Sequence, residues 1–181
     1  MSYALNRFIV PPHESWNAFL VYSNPDYSPR LLAENGLSDI AVLADLRSLA
    51  HLDLARNAVG DLSALFDLPD LRWLAISGNP IREAAQLENL TNLATLLAAD
   101  CGIRDADFVS GLPRLVYLDL SDNLLTDLEP LVTHTWPQAE EEWLLSQVTI
   151  KLEGNPLDLA EGSPAKQQLQ LLQDRGIKIT Y

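Results

Sequence analysis

At 181 residues the chain has the length of one ordinary domain and can bury a real core. Its apolar fraction of 48% excludes a disordered tail. The formal net charge of −13, from 25 acidic against 12 basic residues, disfavours phosphate backbones and anionic lipid surfaces.

The first thirty residues contain Phe8, Ile9, Val10, Trp16, Phe19, Leu20, Val21 and Tyr22 without any recurring spacing. They read as a cap over residues 1–30; a separate ligand-binding element is the alternative. Residues 1–12 lack a basic segment followed by a long apolar run, so they do not read as a secretory signal. No stretch approaches the roughly 18 uninterrupted apolar residues of a membrane span. A single cysteine, Cys101, excludes an internal disulfide and suits a reducing compartment. A cytoplasmic monomer with no nucleic-acid and no membrane partner is therefore expected.

From residue 31 to 160 the chain repeats. Asn35, Asn57, Asn79, Cys101 and Asn123 recur every 22 residues. Leu37, Val59, Ile81, Ile103 and Leu125 follow two residues later, and Leu32, Leu54, Ile76, Ala98 and Leu120 come three before. Asn155 stands 32 residues after Asn123, with its own Ile150, Leu152 and Leu157, so about ten residues are inserted around 133–146. That insertion holds Trp136 and Trp143 and the run Glu140-Glu141-Glu142. Over 161–181, Ser163-Pro164 marks a helix start, with Leu169, Leu171 and Leu172 as its apolar side. Arg175-Gly176 ends that helix, and Ile177, Ile179 and Tyr181 alternate as a final strand.

Residues 49–59 and 115–125 match L-x-x-L-x-L-x-x-N-x-L position for position. The chain thus resembles the leucine-rich-repeat family, in particular the 22-residue class of internalins and phosphatase-regulatory solenoids. The resemblance implies an α/β, right-handed leucine-rich-repeat solenoid with a concave parallel β-sheet and short 3-10 or irregular convex segments, capped at both ends. It implies a binding module and says little about the partner. The anchor asparagines should satisfy backbone groups where the chain leaves each strand, with Cys101 a buried thiol in the same column. Asp39, Asp61, Glu83, Asp105 and Asp127, four after each anchor, should cap the convex turns; cation binding is the alternative. Leu159 breaks that column.

On the concave face, residues between core leucines point outward. One column reads His51, Trp73, Thr95, Tyr117 and Thr149; the next reads Asp53, Ala75, Leu97, Asp119 and Lys151. Trp73 and Tyr117 are candidate anchors in solvent, with Ala75 and Leu97 extending an apolar strip. Asp53, Asp100, Asp119 and Asp122 make its surroundings acidic, which suits a basic or amphipathic protein segment. Trp136 and Trp143 form a second candidate contact, with their loop folded over the concave rim; the alternative is that it packs on the convex side. The alternative is that Trp73 packs on the N-terminal segment and binds nothing.

Chemistry fares poorly. His13, His51 and His134 lie far apart, without a second ligand at metal-binding spacing, and no P-loop, dinucleotide or nucleophile-elbow motif occurs. No cofactor is implied. The expectation is protein or peptide recognition, without catalysis, by a chain of bacterial origin. The alternatives are a hydrolase or lyase around His51 and Asp53, or a self-assembling structural protein.

Overall fold

Each coil yields one three-residue strand, because only the stretch flanking its central inward leucine is extended before the chain must turn. The computed structural model describes residues 32–137 and 148–181. The strands are β1 (His51–Asp53), β2 (Trp73–Ala75), β3 (Thr95–Leu97), β4 (Tyr117–Asp119), β5 (Thr149–Lys151) and β6 (Lys178–Thr180). They form one open parallel sheet in chain order, with Leu52, Leu74, Leu96, Leu118, Ile150 and Ile179 aligned across it. Segments at Ala41–Asp45, Ser63–Leu65, Ala84–Asn89 and Asp107–Gly111 return as 3-10 turns on the convex side. In the interrupted coil the return is a short α-helix, α1 (Glu129–Thr133).

One coil cannot close its own apolar side, so stacking supplies the core. Leu52, Leu74, Leu96, Leu118 and Ile150 are each 2% exposed or less, and Leu54, Ile76, Ala98, Leu120 and Leu152 line the next layer. Each buried leucine contributes about 1.5–3 kcal/mol relative to exposure.

The anchor asparagines bind coil to coil. Asn123 accepts the N–H groups of Cys101 and Ile103, both at 3.0 Å, and donates to the carbonyls of Ala98 (2.7 Å) and Leu120 (3.0 Å). Asn57, Asn79 and Asn155 repeat the donor pair and accept from the preceding coil. The acidic column works one step outside each turn. Asp39, Asp61, Asp105 and Asp127 accept the N–H two residues on, while Glu83 is too long for that bond and meets Gln86. In the last coil Asp158, one residue earlier than the column, takes the role by accepting from Ala160 (3.0 Å).

Helix α2 (Pro164–Asp174) starts at Ser163, whose Oγ accepts from Lys166 N–H and donates to the Asp158 carbonyl. Its buried side is Ala165, Gln168, Leu169 and Leu172. Leu171, expected on the apolar side, is 49% exposed. Gln168 replaces it inside, because its amide accepts from Leu128 N–H (3.0 Å) and donates to Asp127 (2.6 Å), fixing the helix to the last convex turn. The N-terminal cap expected over 1–30 lies outside the described residues.

Candidate functional site

The parallel register aligns two rows of outward side chains. The first runs His51, Trp73, Thr95, Tyr117, Thr149, Lys178; the second runs Asp53, Ala75, Leu97, Asp119, Lys151, Thr180. Neighbours in a row sit about 4.8 Å apart, the strand spacing. All eight sheet candidates (His51, Asp53, Trp73, Ala75, Thr95, Leu97, Tyr117 and Asp119) therefore share one continuous face.

Their exposure differs from expectation. Trp73 and Tyr117 are half-buried rather than standing in solvent, and Ala75 is 3% exposed. Flanked by Asp53 and Leu97 on a three-residue strand, the alanine methyl lies below its larger neighbours. The strip is recessed between polar ends.

The acidic setting is also less uniform than the sequence suggests. Asp119 Oδ1 accepts from Ser121 N–H (3.1 Å) and Ser121 Oγ (2.5 Å), and its Oδ2 lies 3.7 Å from Lys151 Nζ. Lys151 also stands 5.8 Å from the Tyr117 ring centroid. Its pKa is held above the ordinary value, first by the hydrogen bond with the Tyr117 hydroxyl and then by the charges of Tyr117 and Asp119. Glu153 is held below its usual range, chiefly by the Thr180 hydroxyl. Asp53 Oδ1 accepts from Ala55 N–H at 2.9 Å, and no hydrogen bond joins it to His51 among the described residues.

Asp100 and Asp122 have a backbone explanation. Glu34, Arg56, Gly78, Asp100, Asp122 and Gly154 all adopt left-handed conformations, with φ from 53° to 74°. This column is the corner at which each coil leaves its strand, and aspartate and glycine enter that region at low cost. Gly154 packs directly against the Asp122 carboxylate, where a Cβ would collide. The two aspartates sit on the rim by conformational requirement, beside rather than within the strip.

Trp136 is a correction. Expected as a partner contact, it is 4% exposed, donates Nε1–H to the Leu131 carbonyl (3.0 Å) and joins the core. The end of α1 folds it inward against His134, rings edge to face at 4.5 Å. His134 is itself buried, its Nε2 without a hydrogen-bond partner among the described residues, and burial lowers its pKa. Trp143 lies outside the described residues. A cavity of about 350 Å³ lies on this convex side, between Asp107, Ser110, Pro113, Pro130, Thr133, His134 and Thr135, away from the two rows. Among the described residues no cluster of three His, Cys, Asp or Glu could hold a metal.

Lys151 and Lys178 were not selected from the sequence. Lys151 stands in the same column as Asp119, which was the available signal. Lys178 precedes no anchor asparagine, and only the pairing of β6 with β5 places it in the row.

Residues 91–133 match the family described as leucine rich repeats (2 copies). No curated protein matches the chain in sequence. The crystal structure of internalin C2 from Listeria monocytogenes is 34% identical over 57% of this chain and 46% of that one, with TM-score 0.54. A leucine-rich-repeat protein of Leptospira interrogans is 24% identical over 82% of this chain and 36% of its own, with TM-score 0.62. The TLR13–ssRNA13 complex shares the fold at 22% identity, over 76% of this chain and 18% of that one, with TM-score 0.51. This chain spans less than half the length of each. With its matched repeats at 91–133, stacked parallel strands and asparagine corners, the chain has the fold of a leucine-rich-repeat solenoid.

Proposed function

We propose that the concave sheet recognises a segment of another protein and does no catalysis. Leucine-rich-repeat folds are typically protein-interaction modules, and their curvature supplies an extended binding face. The observation behind the proposal is the recessed apolar strip formed by Trp73, Ala75 and Leu97, with Tyr117 beyond Thr95. Such strips, with aromatic groups set among polar neighbours, are where interface energy concentrates. The net charge of −13 disfavours a phosphate backbone, so a protein rather than a nucleic acid is the proposed partner.

The test is affinity capture from source-cell lysate with wild type and a Trp73→Ala/Tyr117→Ala variant, after circular dichroism shows both are folded. A protein held by wild type and lost by the variant supports the reading. Equal retention by both baits removes the concave strip as the site.

A further inference from the structure

The convex cavity of about 350 Å³ has a structural origin and a consistent chemistry. The earlier convex returns are 3-10 turns stacked on one another, but here the 3-10 turn Asp107–Gly111 faces the α-helical α1. An α-helix is wider and rises less per residue than a 3-10 turn, so the two do not nest and a gap stays open between them. Its volume lies near the lower end for small-ligand pockets and suits one functional group with its stem.

Among the described residues, the polar groups on its walls accept hydrogen bonds and have few hydrogens to offer. The Ser110 hydroxyl donates its hydrogen to the Asp107 carbonyl (2.8 Å), and the Thr133 hydroxyl donates its own to the Glu129 carbonyl (2.9 Å). Each therefore turns only lone pairs elsewhere. The Asp107 carboxylate is a third acceptor, outside any ion pair among the described residues. The fourth is His134, 8% exposed, whose Nε2 has no hydrogen-bond partner among the described residues. Burial lowers its pKa, which leaves the ring neutral at pH 7 and able to accept. Pro113 and Pro130 add apolar rings that carry no N–H. Thr135 is left as the hydroxyl able to turn a hydrogen inward. Arg114, beside Pro113, and Arg175, which donates to the Val132 carbonyl, are not among the lining residues.

We infer that this cavity binds an alkylammonium or alkylguanidinium group, independently of the concave face. Such a group presents only donors, the complement of the four acceptors. Its charge faces Asp107, its N–H groups face Ser110, Thr133 and His134, and its methylene stem lies against the two proline rings. An anion would meet a carboxylate and the lone pairs of the hydroxyls. The net charge of −13 draws a ligand of the same positive sign. A buried nitrogen without a partner is costly, and a donor that reaches His134 removes that cost. The group belongs either to a free amine or guanidine, or to a lysine or arginine side chain of another protein.

The probes are ethylguanidinium, ethylammonium and, as the anionic control, acetate. Each is titrated onto the full chain while the His134 ring signals and the Thr133 backbone amide are followed by NMR. Both cations are expected to shift these signals saturably, and acetate to leave them in place. Asp107→Asn, at an exposed side chain, should weaken the cations about fivefold. Thr133→Val should weaken them about threefold, with circular dichroism showing that both variants are folded. Trp73→Ala should leave cation binding unchanged. A Gly-Arg-Gly peptide blocked at both ends separates the two sources. Tighter binding than ethylguanidinium assigns the group to a protein side chain, and equal or weaker binding assigns it to a free small cation. Shifts that do not saturate, an equal response to acetate, or cation affinity unchanged in both Asp107→Asn and Thr133→Val overturns the inference.

Discussion

The backbone N–H of Ile81 turns back onto the Asn79 carbonyl (2.9 Å), because the next coil presents Cys101 rather than an asparagine oxygen. Its counterparts Leu37, Val59, Ile103 and Leu125 instead reach the next coil's asparagine Oδ1 at 2.9–3.0 Å. Cys101 keeps only the donor half of the role, its thiol donating to the Ile76 carbonyl at 3.2 Å.

Cys101→Asn should therefore stabilise the protein by about 1 kcal/mol, the net value of one restored hydrogen bond. Urea unfolding midpoints of the two forms measure this. Burial also pushes the Cys101 thiol up to about 11. At pH 7.5 the native thiol should resist a soluble disulfide reagent until urea unfolds the chain.

Gly111 sits against the backbone of Glu88 in the neighbouring convex turn, where a Cβ would come within 2.8 Å of the carbonyl carbon. Neither backbone can give way without parting two stacked coils. Gly111→Ala should cost about 2 kcal/mol, seen as a lower thermal midpoint with unchanged binding.

The two tryptophans should separate stability from recognition. Trp136→Ala removes a core ring and should cost about 3–5 kcal/mol. Trp73→Ala takes a half-buried ring from the sheet surface and should cost about 1 kcal/mol or less. Parallel denaturation and capture experiments distinguish them; a large stability loss at Trp73 and none at Trp136 would reverse the assignment.

His134 sets a pH dependence. Burial lowers its folded pKa below the ordinary 6.5, so the unfolded chain binds the extra proton more readily. Stability should be complete above about pH 6.5 and decline as pH falls below that value, before the carboxylates titrate. His134→Phe should flatten the change in urea midpoint between pH 7.5 and 5.5.

Much of this molecule is one-dimensional and therefore readable. A 22-residue period fixes which residues point inward, so β1–β5, the asparagine corners and the concave rows follow from spacing alone. What escaped involves quantities that hydrophobic pattern does not encode. The left-handed corner depends on the sign of φ, although the mixture of Gly78 and Gly154 with Asp100 and Asp122 hinted at it. Trp136 lies where the period breaks, so no column told whether it faced in or out. Gln168 is buried by hydrogen bonds to the last convex turn rather than by apolarity, and Lys178 enters the rows only through the pairing of β6.

Thr149 follows Tyr117 by 32 residues, whereas Tyr117 follows Thr95 by 22, yet both pairs meet in the same register. The sheet and the Asn123–Asn155 corners position the coils, and the length of chain between them does not. Since closing a longer connection costs only about 0.6 kcal/mol for each doubling, added length between Pro137 and Val148 should leave the register of β4 and β5 unchanged. That segment is therefore the place to graft a foreign epitope or affinity tag without disturbing the sheet.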